Sequence, residues 1–243
     1  MVYILGFNGS PRKYGNTFKL LKAALLGSGK EGAKTELIHL YDREIKPCIG
    51  CLSDEEGLCG YPCVIEDDMR EIYDKILKAD GLIIATPIYW FDVSGVVKNL
   101  IDRLTALENM IYHSGYSWLE GKYGGVIAVG NDEGGAHVIS TLLSTLVSMG
   151  VRIPPWALAY YSGKEDVIEN ERVMMDAVNV GRVLALAASN KNVKRWYVED
   201  KTLLNEIKDR VLKETESNVR IQKNLRMKTI KSLKINQKAW QAP

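Results

Sequence analysis

Along the first 190 residues, short apolar runs closed by turn residues alternate with longer stretches in which apolar positions recur at helical spacing. The short runs predict strands at Val2–Asn8, Lys34–Leu40, Gly81–Thr86 and Gly124–Gly130, with a weaker one at Ala157–Tyr161. The longer stretches predict helices at Asn16–Ser28, Asp67–Ala79, Ser94–Glu108, Gly135–Met149 and Asn170–Ser189, the first opening on Asn16 and Thr17 as capping side chains. Alternating strands and helices bury a parallel sheet between two helical layers, so the expected fold is α/β, a doubly wound five-stranded parallel sheet in the order 2-1-3-4-5.

Past Asn190 the pattern changes. A charged helical stretch carries Leu203, Ile207 and Val211, and from Ser217 onward there are Lys and Arg residues but no Asp or Glu. We read residues 1–190 as one domain and residues 191–243 as a basic helical C-terminal extension. The extension is expected to pack on a neighbouring subunit or on the core, or else to offer a basic docking surface to an acidic redox partner.

Composition narrows the function classes. The chain has 243 residues, 46% of them hydrophobic, and a formal charge of only +2, which excludes a global field for nucleic acid. No run approaches the roughly 18 to 20 apolar residues that cross a bilayer, so no membrane partner is expected. The four cysteines crowd between Cys48 and Cys63, too close together to staple distant segments of a secreted fold, which implies a reducing, cytoplasmic setting.

Three loops at the carboxyl ends of strands carry candidate chemistry. The first strand ends in GFNGSPRKYGNT, where Gly6 and Gly9 are expected to admit a ligand close to the backbone. Ser10, Asn16 and Thr17 supply short polar side chains, Arg12 supplies charge, and the next helix aims free N–H groups at the same point, so the target is a phosphate. Neither GxxxxGK[ST] nor GxGxxG occurs here, which disfavours a P-loop and a Rossmann turn. The third strand ends in TPIYWFDVSGVVKNLIDR, whose aromatics suit either a flat ring, the core or a subunit contact. The fourth ends in AVGNDEGGAH, where Gly130, Asn131, Gly134 and Gly135 offer backbone contacts and His137 is a cap or surface residue. Cys48, Cys51, Cys59 and Cys63, spaced C-x2-C-x7-C-x3-C, leave open a [4Fe-4S] cluster, zinc or free thiols.

GSPR followed by GNT, and P-x-Y-x-x-x-x-S followed by K-x-x-I-D-R, resemble the NADPH-dependent FMN reductase and iron-sulfur flavoprotein group of the flavodoxin-like superfamily. The resemblance covers residues 1 to 190. It implies that Ser10, Arg12, Asn16 and Thr17 hold the FMN phosphate, that Pro87, Ile88, Tyr89 and Trp90 line the flavin, and that Lys98, Asp102 and Arg103 are structural. It also implies a [4Fe-4S] cluster on the four cysteines: Cys63 stands before Val64-Ile65 and Asp67-Asp68-Met69 as the last cysteine of that group does. The middle departs, with Asp54 where the group has its third cysteine, so Cys59 is the expected substitute ligand.

The expected function is therefore an FMN-dependent oxidoreductase passing electrons between a cluster and FMN. The alternatives are an NAD(P)H-dependent FMN or quinone reductase without a cluster, and a non-enzymatic redox sensor docking through its basic tail. No catalytic acid is expected, because the flavin carries the chemistry. The resemblance also implies a homodimer or homotetramer; helix Ser94–Glu108 and the stretch with Tyr112, Tyr116 and Trp118 after it are the candidate contact or else are packed in the core, and either a redox partner protein or a small molecule is expected as electron acceptor.

Overall fold

A computed structural model describes residues 1–190 and 195–233. Five parallel strands, β1 (Tyr3–Asn8), β2 (Lys34–His39), β3 (Gly81–Pro87), β4 (Tyr123–Gly130) and β5 (Leu158–Ser162), form one sheet in the order β2-β1-β3-β4-β5. The helices are α1 (Asn16–Lys30), α2 (Met69–Lys78), α3 (Gly95–Glu108), α4 (Met110–Ser114), α5 (Gly135–Ser148) and α6 (Glu171–Ala188). The flavodoxin-like fold and its strand order are thus as expected. The final ten residues of the basic tail, 234–243, lie outside the described residues.

Alternation along each strand sorts the core into two layers. Ile4, Ile83 and Ile127 face α1 and α6, whereas Leu5, Phe7, Leu82, Ile84 and Val126 face α2, α3 and α5. With helices on both faces, the central strand β3 is buried along its whole length. α1 and α6 approach closely at two glycines: a Cβ on Gly181 would lie 1.7 Å from the Ala24 carbonyl oxygen, and one on Gly27 would lie 2.4 Å from that of Val178.

The extension packs on its own chain. Helix α7 (Lys201–Asn218) buries Leu204, Ile207, Val211 and Thr215 against α1 and α6, with Leu203 only partly covered. Lys22–Glu214 and Lys30–Glu206 ion pairs, each 2.6 Å, fasten its rim to α1. A π-helical turn (Val219–Lys223) leads into α8 (Asn224–Leu233), whose Ile221-to-Ile230 surroundings stay exposed. Among the described residues no helix is long and apolar enough to cross a membrane.

Lys98 and Asp102 form an ion pair along α3. Arg103, the next residue, is 1% exposed and grips Asp67 through Nη1 at 2.6 Å and Nη2 at 3.2 Å, tying the cysteine-bearing segment to α3. Burial pushes the Asp67 carboxyl up, but the guanidinium and the N–H groups of Lys46 and Met69 outweigh it and hold the group below its ordinary 3.8.

Removing one partner of a buried pair leaves the other uncompensated, so Asp67→Ala is expected to lower stability by about 3–5 kcal/mol in urea denaturation. Because the folded carboxyl titrates below the unfolded one, this contribution is complete above pH about 4 and is lost as pH falls through the lowered value. The wild-type and variant stability curves therefore converge on acidification.

Candidate functional site

The loops after β1, β3, β4 and β5 enclose a cavity of about 590 Å³ at the carboxyl edge of the sheet. That volume lies within the range of about 300–1,000 Å³ typical of sites for small organic ligands. Ser10, Arg12, Asn16 and Thr17 line it from the β1 loop and the start of α1, and Pro87, Ile88, Tyr89, Trp90, Gly130 and Asn131 line it from the ends of β3 and β4 and the loops after them.

At the β1 end, the backbone folds around its own side chains. Ser10 N–H donates to Asn8 Oδ1 at 3.1 Å and Arg12 N–H donates to Ser10 Oγ at 3.2 Å, which curls the loop. Gly15, and not Asn16 or Thr17, occupies the N-cap position of α1, and no side chain caps it. The first-turn N–H groups, beside Gly15, Asn16 and Thr17 in the lining, therefore remain available to an anion. The Asn16 amide is spent elsewhere, donating to Glu165 O at 2.8 Å and accepting from Val167 N–H at 3.2 Å. Gly6 and Gly9 differ from the expected ligand approach as well. A Cβ on Gly6 would press on Leu25 and Leu21 of α1, and one on Gly9 would lie 2.2 Å from Val97 Cγ2 of α3. These glycines admit helices.

At the β3 end, Tyr89 and Asp92 exchange both main-chain hydrogen bonds, at 2.9 and 3.1 Å, around a two-residue turn. Its central residues, Trp90 (φ 51°) and Phe91 (φ 64°), both occupy the left-handed region. Such turns ordinarily take Asn-Gly, and bulky residues there are strained. Strain of this kind persists where the surrounding structure imposes it and collects at ligand sites. Gly134 and Gly135 lie outside the lining: Gly134, at φ +100°, admits Phe91 and Ile88, and Gly135 admits Tyr160. His137 is exposed on α5, apart from the lining.

The loop after β5 was missed from sequence. Gly163, Lys164, Glu165 and Asp166 complete the wall, and Asp166 pairs with the buried Lys19 beneath the cavity. Burial raises the Asp166 carboxyl, but Lys19 and the Ile168 N–H overcome that and hold it below its ordinary value. A cluster of charges after a Gly at the end of a strand was the available signal.

The expected [4Fe-4S] site does not form. Among the described residues no group of three or more Cys, His, Asp or Glu side chains is placed to hold a metal ion, and Cys48, Cys51, Cys59 and Cys63 are free. The segment after Cys51 folds instead into short 3-10 turns at Cys51–Ser53 and Glu56–Leu58. The Cys59 carbonyl is then fixed by Asn109 Nδ2 and His113 Nε2, each at 2.8 Å, so protein hydrogen bonds set the loop. Cys59 is buried, and burial, reinforced by the nearby thiols of Cys51, Cys63 and Cys48, pushes its thiol up to about 12.

Residues 2–163 match a family described as NADPH-dependent FMN reductase. An iron-sulfur flavoprotein of Methanocaldococcus jannaschii is 42% identical over 135 residues, covering 55% of this chain and 65% of the relative. One from Methanosarcina thermophila is 29% identical over 198 residues, covering 78% of this chain and 98% of the relative. The chain thus spans just under two thirds of the first and nearly all of the second. In fold it is similar to RosB, solved with bound 8-demethyl-8-formylriboflavin-5'-phosphate, with a TM-score of 0.65, 23% identity and coverage of 78% and 80% of the two chains.

Alkylation followed by peptide mass mapping should modify exposed Cys48 first and Cys59 last at neutral pH, because the reactive thiolate is scarce and buried at Cys59. Trp90 is 96% exposed, so Trp90→Gly loses little packing and removes the left-handed penalty. Thermal denaturation of the variant, without added ligand, should show a gain of about 1 kcal/mol.

Proposed function

The chain belongs to the NADPH-dependent FMN reductase and iron-sulfur flavoprotein group of the flavodoxin-like superfamily, a family of FMN-binding oxidoreductases, and from this we propose that it is an NAD(P)H-dependent reductase. In this reading the cavity between the strand ends holds FMN, and the acceptor is a small molecule of the flavin or quinone class. The observation that carries it is the division of one cavity into a phosphate-type end and a ring-type end.

The donors suit the two ends of such a ligand. Ser10, Thr17, the Arg12 guanidinium and the uncapped first turn of α1 together present hydroxyl, charged and main-chain donors, the set that holds a phosphate. Asn16 acts here through its backbone, its amide holding the β5 loop in place. Pro87, Ile88, Tyr89 and Trp90 offer flat and apolar surface, and Gly130 and Asn131 close the opposite side. The chemistry supplied by bound FMN is acceptance of a hydride and release of electrons singly or in pairs, so the protein's task is to orient and polarise the ring. Tyr89, Trp90 and Phe91 remain substantially exposed and leave aromatic surface at the mouth for a second planar group. Exposed Ile111, Tyr112 and Tyr116 form apolar surface suited to a homo-oligomer, whereas Trp118 is partly covered by Tyr61.

The test is FMN binding to the purified chain, followed by NADPH and NADH oxidation with a quinone or free FMN as acceptor. We expect saturable binding at about one FMN per chain and turnover with at least one nucleotide. Arg12→Ala should weaken FMN by about 10- to 100-fold, the effect of a charge-assisted hydrogen bond. Failure to bind FMN after reconstitution would sink the reading.

A further inference from the structure

The C-terminal extension hydrogen-bonds to the loop after β1 at Lys13. Asn218, the last residue of α7, donates from Nδ2 to the Lys13 carbonyl at 2.7 Å, and Gln222 Oε1 accepts the Lys13 N–H at 2.8 Å. Both main-chain polar groups of Lys13 are thereby held by side chains more than 200 positions away in sequence. Its ammonium group is paired with Asp42.

The arrangement is built from the core outward. Leu204, Ile207 and Val211 seat α7 against the helical layer, and the Lys22–Glu214 and Lys30–Glu206 pairs lock it to α1, the helix whose first turn lines the cavity. At Asn218 the α-helix gives way to a π-helical turn containing Gln222, a rare feature that often marks functional sites. Asn218 and Gln222, four positions apart, face the same loop. A smaller cavity of about 420 Å³ lies between α7 and the loop. It shares Tyr14, Lys19 and Asp166 with the main cavity, so the extension lies behind residues that line that cavity.

The loop itself has little else to hold it near Lys13. Apart from the Asn8–Ser10 bonds at its start and the Lys13–Asp42 ion pair, its own bonds there are Arg12 N–H to Ser10 Oγ at 3.2 Å and Gly15 N–H to Arg12 O at 3.4 Å. A Gly- and Ser-bearing loop held so loosely would lose conformational freedom on closing round an anion, and that loss weakens binding. We propose that Asn218 and Gln222 are positioning residues for the flavin phosphate, the extension holding the phosphate loop in its binding geometry before the ligand arrives. The proposal rests on the reading of the main cavity as an FMN site. It assigns a role to a segment that lies beyond the family match at residues 2–163.

FMN and riboflavin separate this role from a general one, since they share the ring and differ in the phosphate. Dissociation constants for both would be measured by flavin fluorescence titration on the full-length chain and on Asn218→Ala, Gln222→Ala, the double variant and Lys231→Ala. Lys231 lies on α8, clear of both cavities, and serves as the control. We expect FMN to bind about tenfold more weakly to the double variant, the effect of two ordinary hydrogen bonds, with riboflavin affinity unchanged. Unchanged FMN affinity in the double variant overturns the proposal, as does an equal loss for FMN and riboflavin. Should the double variant melt below the assay temperature, Gln222→Met, close in shape but without the acceptor, decides by the same comparison. A wild-type chain that binds FMN no better than riboflavin instead overturns the phosphate-loop reading on which the proposal rests.

Discussion

The peptide unit of Gly9 couples the two ends of the cavity. Its N–H donates to Ala85 O of β3 at 2.8 Å, and its carbonyl accepts from Ser94 Oγ at 2.8 Å. Ser94 N–H in turn donates to Thr86 Oγ1 at 3.0 Å. All of these groups are buried, where a lost partner costs about 1–3 kcal/mol, so the loops after β1 and β3 are held in one relative position. α3 then seats Val97 against the bare Cα of Gly9, a contact that any side chain would displace. The positions of Ser10 and Arg12 relative to Tyr89 and Trp90 follow from this junction.

Around it the site is graded in stiffness. The β1 loop sits on packed elements: Asn8 Nδ2 donates to His39 Nδ1 at 2.9 Å, which requires a neutral imidazole with an open Nδ1. Burial supplies that condition by pushing His39 down to about 4, so the ring is uncharged at neutral pH. The β3 loop instead carries two consecutive left-handed aromatics on an exposed turn, a local conformation maintained by its paired backbone bonds. A packed loop thus stands beside a strained, exposed turn across one cavity.

The cysteine segment shows why spacing and geometry are different quantities. C-x2-C at its start and the Val64-Ile65 and Asp67-Asp68-Met69 run at its end match the pattern of the iron-sulfur group. Between them, 3-10 turns and hydrogen bonds from Asn109 and His113 decide where the thiols stand. Those partners lie about fifty residues downstream, and no count of intervening residues encodes them. Asp67, which reads as part of a motif, is in the folded chain the buried anchor of Arg103.

Sequence alone determined the strands, the helices and the sheet order. These arise from local hydrophobic period and from the rule that parallel strands need helical crossovers, both of which act over a few to a few tens of residues. It also located the loops after β1 and β3 that line the cavity, because glycine, proline and short polar residues at a strand end limit what the backbone can do there. Only the tertiary structure decided which side chains serve the cavity and which serve the scaffold. Asn16 turned toward the β5 loop, Gly9 toward α3, and Lys13 came under Asn218 and Gln222. Such pairings depend on where packed elements set atoms that are distant along the chain, and hydrogen bonds form or fail over fractions of an ångström, which no local pattern specifies.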